Sequence, residues 1–214
     1  MRIITIILIT ASLQLSAQKR ATSFYPSTEQ PRESFEYRIR CGDTLRNGQY
    51  QFFYPDGTIY QEGRYKRGQL HGEWVINHPS GAVRQTLPYK KGVLKGTLKE
   101  YSPEGILLRE AEYKNDLLHG EVVIYHENGT VLERSNYKEG VLHGTVTAWF
   151  EDGKLRFRKA YENSIEHGDQ IIYHENGNIK EVSKKVNGEY HGLYEGYYKE
   201  YEDGAIQKRC YYDH

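Results

Sequence analysis

Neither sign of charge dominates this chain: 29 Lys and Arg balance 29 Asp and Glu. A net charge of zero offers no electrostatic footprint for nucleic acid or for an anionic membrane surface. Apolar residues make up only 37% of the 214 residues, which suits a thin sheet with little interior better than a compact globule. Helical periodicity is missing from the body of the chain. So are catalytic constellations. Ser164 lies in no nucleophile elbow, and no glycine motif opens a helix to cradle phosphate. Acidic residues spread with a regular period, as on a solvated face. These absences argue against an enzyme, and neither a cofactor nor a metal site is expected.

What the chain does have is a period. Gly48, Gly72, Gly96, Gly120, Gly144, Gly168 and Gly192 stand at 24-residue intervals. Gly57, Gly81, Gly105, Gly129, Gly153 and Gly177 follow them in a second column, with Gly204 displaced in the seventh unit. An aliphatic column (Ile59, Val83, Leu107, Val131, Leu155, Ile179) and a tyrosine column (Tyr65, Tyr89, Tyr113, Tyr137, Tyr161) keep the same step. Ile206 and Tyr212 continue both columns after the displacement. A period of this size marks a repeat array, whose units bury their apolar faces against their neighbours.

Each unit reads as a β-hairpin. Val122 and Ile124 alternate with Glu121, Val123 and Tyr125, as in a half-buried strand. Tips such as Pro55-Asp56-Gly57, Glu127-Asn128-Gly129 and Glu175-Asn176-Gly177 carry the Asn or Asp with Gly that tolerate positive φ. Hairpins in series form a meander. At about 4.8 Å between strands, each unit advances the sheet by roughly 9.6 Å, and seven units span on the order of 65 Å. The fold class is therefore all-β, an elongated and twisted single antiparallel sheet.

Met1-Arg2 and the apolar run from Ile3 towards Leu15 read as a signal peptide over residues 1–17, with cleavage after Leu15-Ser16-Ala17. The run is shorter than the roughly 20 residues needed to span a bilayer, so no membrane span is expected after cleavage. Export to the periplasm or beyond follows. Residues 18–33 are polar, with two prolines, and read as a flexible linker. Residues 34–46 are expected to form a capping half repeat, with Phe35, Tyr37, Ile39 and Cys41 alternating and Cys41 buried in the tyrosine column. Repeats occupy 47–214. Cys41 and Cys210 lie on the order of 60 Å apart by strand spacing, whereas a disulfide needs Cα atoms within about 7 Å. No bridge within the chain is expected. Cys210 is free, or joins two molecules.

Two side-chain columns invite a functional reading. His71, His119, His143, His167 and His191 precede the unit glycines. Neighbours in that column are roughly 9.6 Å apart, too far for shared zinc ligation, so they are expected to order the hairpin junctions. Phe53, Tyr101, Tyr125, Trp149, Tyr173 and Tyr197 occupy the fifth position after the unit glycines. They fall on the face opposite Val122 and Ile124, as a candidate binding stripe for protein or glycan.

Tyr137-Lys138-Glu139-Gly140-Val141-Leu142-His143-Gly144 resembles the core of a MORN repeat, as does the segment from Tyr65 to Leu70-His71-Gly72. The 24-residue unit and Asn-Gly tip look like the bacterial variant of that family. Lys95, Asp116, Ser164 and Lys185 depart from the pattern, and local irregularity is expected there. The resemblance implies a non-catalytic repeat scaffold that mediates protein–protein interaction. It also implies an antitoxin-like alternative, in which the chain neutralises a toxin. A glycan- or cell-wall-binding module using Tyr125, Trp149 and Tyr173 is the other alternative.

Overall fold

The computed structural model describes residues 18–197 and 206–212. The expected signal peptide, Gly204 and the last two residues lie outside them. Among the described residues nineteen strands form one sheet, and every pairing between them is antiparallel. Each strand pairs with the strands before and after it in the chain, so the topology is a meander from Lys19–Phe24 to Ile206–Tyr212. Three short strands, Val93–Leu94, Val141–Leu142 and Glu189–Tyr190, are continuations of the strand that follows, broken by one residue.

The two kinds of turn close differently. At the junctions, two consecutive residues take positive φ: Arg67 and Gly68 at 54° and 78°, for example. That is the two-residue turn whose twist matches the flanking strands. Asn115-Asp116 and Asn163-Ser164 adopt the same geometry without glycine, at 53° and 65° and at 51° and 66°. The irregularity expected at Asp116 and Ser164 is therefore not found. Their side chains do extra work there: Asp116 Oδ1 accepts Leu94 N–H at 2.8 Å, and Ser164 Oγ accepts Leu142 N–H at 3.2 Å. This bond to the preceding unit helps offset the strain of a left-handed non-glycine residue.

The tips are three-residue loops. Tyr54 N–H reaches Thr58 O at 2.8 Å, and Gly57 N–H reaches Tyr54 O at 3.0 Å. Asp56 Oδ1 then accepts Thr58 N–H at 2.8 Å, and Asn128 Oδ1 accepts Thr130 N–H at 2.9 Å. Next to each tip the register slips by one residue, between Phe52 and Phe53 and again between Ile124 and Tyr125 on the strands leading into it. Such bulges sharpen twist and re-aim side chains.

The front of the array corrects two expectations. Residues 18–33 are not a linker throughout. Lys19–Phe24 and Pro31–Arg40 pair as a hairpin, joined by a turn in which Tyr25 N–H bonds Gln30 O at 3.0 Å. Nor does Cys41 stand in the tyrosine column. Arg46 pairs with Tyr37 as Leu70 pairs with Tyr65, so Tyr37 holds that place. The hairpin runs on to Arg40 and Asp43, and Cys41 sits exposed in the turn with φ of 52°. A fixed 24-residue count could not see this longer hairpin. At the far end, Gly192 pairs with Tyr212 and Tyr197 with Ile206, as the displaced columns require.

Candidate interaction surface

One face of the sheet carries the core. Tyr50, Trp74, Leu98, Val122, Val146 and Gln170 stand two residues after their unit glycines, and all are buried. In register across the hairpin stand Gly63, Leu87, Ala111, Ser135, Lys159 and Ser183. Large and small residues thus mostly oppose one another, which lets a single-layer face pack closely. The tyrosine column lies on the same face. Tyr65 meets Tyr50 at 5.6 Å and Trp74 at 5.2 Å between ring centroids, both edge-on. Arg46 lies over Phe35, Tyr50 and Tyr65 and pairs with Glu33 at 2.6 Å. Burial, and secondarily the Glu33 carboxylate, push the Tyr50 phenol up to about 12.

The chemistry of this face changes along the array. At the end of the fifth unit Glu166 stands where earlier units have Leu70, Leu94, Leu118 and Leu142, and in the sixth Lys185 replaces the column tyrosine. Glu166 accepts from Lys159 Nζ at 2.8 Å and from Lys185 Nζ at 2.5 Å. Burial disfavours its charge, but the two lysine hydrogen bonds outweigh that and hold the carboxyl at about 2. Lys185 also rests 4.7 Å above the Tyr190 ring. The departure at Lys185 is thus one half of a paired exchange, apolar stacking for an ion cluster. Glu133, by contrast, is half-buried between Ile124 and Ala148. Burial raises its carboxyl, and the charge of Arg156 only partly counters this.

The opposite face carries the predicted stripe. Phe53, Tyr101, Tyr125, Trp149, Tyr173 and Tyr197 are each half-buried and each sits at the bulge that adjoins a tip, on the strand leading into it. Tyr125 OH bonds Glu110 at 2.8 Å, and Tyr197 OH bonds Glu195 at 2.5 Å. Among the described residues, none of the six stacks on another aromatic ring. Pocket-like relief surrounds part of the stripe, where Trp149 lies with Val131 and Arg134.

The histidines beside the tips hold three members of this stripe, Tyr101, Trp149 and Tyr197, a role the sequence reading missed. His78 Nε2 bonds Tyr101 O at 3.1 Å, His126 Nε2 bonds Trp149 O at 3.2 Å and His174 Nε2 bonds Tyr197 O at 3.2 Å. A carbonyl can only accept, so the proton must be on Nε2. Tyr25 OH and Tyr54 OH make the same reach, to Phe53 O at 2.6 Å and Asn77 O at 3.2 Å. The signal was present at twice the unit length. His78, His126 and His174 are 48 residues apart, and so are Val75, Val123 and Ile171 on the same strands. The outer face therefore repeats every two units, about 19 Å along the sheet.

The junction histidines order their turns through the backbone more than through the ring. His143 N–H bonds Asn136 O at 2.9 Å, and Lys95 N–H makes the equivalent bond to Pro88 O at 2.9 Å. Lysine therefore serves as well as histidine there. The corresponding carbonyls of Arg64 and Ala160 are reached by Trp74 Nε1 at 3.2 Å and Gln170 Nε2 at 3.1 Å.

A comparison with curated proteins finds no match. The family model described as MORN repeat variant matches residues 46–67, 70–91, 94–115, 118–139, 142–163 and 166–183, more than half of the chain. Such repeats are generally non-catalytic and commonly serve as scaffolds for interaction. With its 24-residue hairpins, glycine junctions and single antiparallel sheet, the chain belongs to the MORN repeat variant family.

Proposed function

We propose that this protein is an exported scaffold without catalytic activity that holds a protein partner against its outer face. The observation that carries this reading is the stripe of Phe53, Tyr101, Tyr125, Trp149, Tyr173 and Tyr197. Six large rings are half-exposed and unstacked, at 24-residue steps interrupted once at Asn77, and the carbonyls of Phe53, Tyr101, Trp149 and Tyr197 are held by side chains of the preceding unit. Aromatic side chains fixed in this way lose little freedom on binding and are favoured at interface centres. Weak contacts repeated along a rigid array also sum, so affinity grows with the number of units engaged.

The test is affinity capture of a tagged full chain from fractionated cells after mild cross-linking, beside a chain carrying Tyr125→Ala, Trp149→Ala and Tyr173→Ala. A stoichiometric partner in the envelope or secreted fraction that is lost with the triple variant is the expected result. An equal yield from both chains would move the interface away from the stripe. Recovery from the cytoplasm with residues 1–17 intact would overturn export.

A further inference from the structure

Net charge conceals a local segregation. Five cations, Arg38, Arg40, Arg64, Lys66 and Arg67, line one concavity of about 670 Å³ near the first junction, with no carboxylate in its lining. Arg38 and Arg40 come from the strand Pro31–Arg40. Arg64 and Lys66 come from Ile59–Lys66, and Arg67 from the turn beyond it. Between these strands runs Asp43–Phe53, paired to both. The two cationic rows are therefore about 9.6 Å apart, two strand spacings. Leu45, Asn47 and Gly48 form the floor between them. All five cationic residues are exposed, and none has an ion-pair partner among the described residues.

The carboxylate of Glu36, which lies against Gly48, is already taken. It accepts from Gln18 and Arg20 and from Gln49 N–H. Asn47 Oδ1 accepts Arg67 N–H at 3.1 Å, which ties the turn to the floor. The longer first hairpin makes this arrangement, because it carries Arg38 and Arg40 past Tyr37 and alongside the next junction. Like charges placed so closely repel until an anion joins them, and guanidinium groups suit the several acceptor oxygens of a phosphoryl group.

We propose that this groove binds phosphoryl anions, clasped between Arg38 and Arg40 on one wall and Arg64, Lys66 and Arg67 on the other. The ligand chemistry is a group with at least two negative charges and several free oxygens, either a soluble phosphate compound or a headgroup. The volume lies within the range of small-molecule sites, and a ligand of one or two phosphoryl groups fits it.

The experiment titrates inorganic pyrophosphate into the full chain by calorimetry at low salt. Two double variants accompany it. Arg40→Gln with Arg67→Gln removes one cation from each wall. Lys138→Gln with Arg158→Gln removes the same charge from exposed positions outside the groove. Circular dichroism and urea midpoints establish that both remain folded. The expected result is saturable one-to-one binding that weakens by about tenfold or more in the groove variant, for the loss of charge-assisted bonds, and stays unchanged in the control. No saturable binding, or equal weakening in both variants, would overturn the site. Sedimentation with phosphatidic acid vesicles identifies the source. Pyrophosphate binding without sedimentation assigns a soluble ligand. Sedimentation released by pyrophosphate assigns a headgroup in the same groove. Sedimentation that pyrophosphate does not release, in a chain that shows no calorimetric binding, would place anion recognition elsewhere and overturn the proposal.

Discussion

The indole of Trp74 lies directly on the Cα of Gly63, so closely that a methyl group added to Gly63 would fall within the ring. Gly63 does not need positive φ. Its lack of a side chain is what lets the largest core residue close over the neighbouring strand. Trp74 is 1% exposed, and its ring also meets Tyr50 and Tyr65. Gly63→Ala is expected to destabilise the chain by roughly 1–3 kcal/mol through overpacking, and Trp74→Ala by roughly 3–5 kcal/mol through the cavity left. Urea unfolding followed by circular dichroism measures both. A neutral Gly63→Ala would mean that Trp74 can swing aside without loss.

The carbonyl brackets predict local rather than global effects. His126→Ala removes the bond to Trp149 O and is expected to cost about 1 kcal/mol. In a repeat array the loss should stay near the affected units. Hydrogen exchange should accelerate around Thr130 and Trp149 while the protection of Trp74 and its neighbours is unchanged. Uniform acceleration along the whole chain would contradict the bracket.

Glu166 predicts an acid dependence. A glutamate in an unfolded chain titrates near pH 4.3, whereas Glu166 in the fold titrates at about 2. The unfolded state therefore takes up the proton first as pH falls. The stabilisation is complete above about pH 4.5 and drains away towards pH 2. Glu166→Gln should remove this dependence and leave Lys159 and Lys185 without their shared partner, at a cost of roughly 1–3 kcal/mol at neutral pH. Unfolding midpoints of both chains between pH 2 and 7 decide it. Parallel pH profiles would show that the cluster contributes nothing.

Glu133 carries the opposite sign. Burial raises its carboxyl above the ordinary value, so the fold favours its protonated form, and ionisation at neutral pH costs stability. Glu133→Gln is expected to raise the unfolding midpoint at pH 7, and the gain should vanish below about pH 4, where both states are protonated. A midpoint that falls on substitution would show that Glu133 serves as a partner to Arg156.

Cys41 lies in the turn between Pro31–Arg40 and Asp43–Phe53, and Cys210 in the strand Ile206–Tyr212, at opposite ends of the meander. Both thiols should react under denaturing, non-reducing conditions, and in the folded protein the exposed Cys41 should react first. A chain with no titratable thiol and monomeric mass would require the two ends of the sheet to meet.

The period by itself determined the architecture. Glycine at the junctions, Asn or Asp with Gly at the tips and strict alternation between them leave the backbone no other regular pairing, because a one-residue slip would turn every core residue outward. It also placed the aromatic stripe on the face opposite Val122 and Ile124. Three things were decided only in three dimensions. The Pro31–Arg40 hairpin runs past Tyr37, which moves Cys41 from the core to a turn and brings two cationic rows together. Asp116 and Ser164 keep the glycine turn, because their oxygens find backbone N–H groups in the preceding unit. The tip histidines reach carbonyls 23 residues on. Each depends on which strand lies next to which, and on how far a side chain extends across the gap. A column of letters records position along one strand and not the distance to its neighbour.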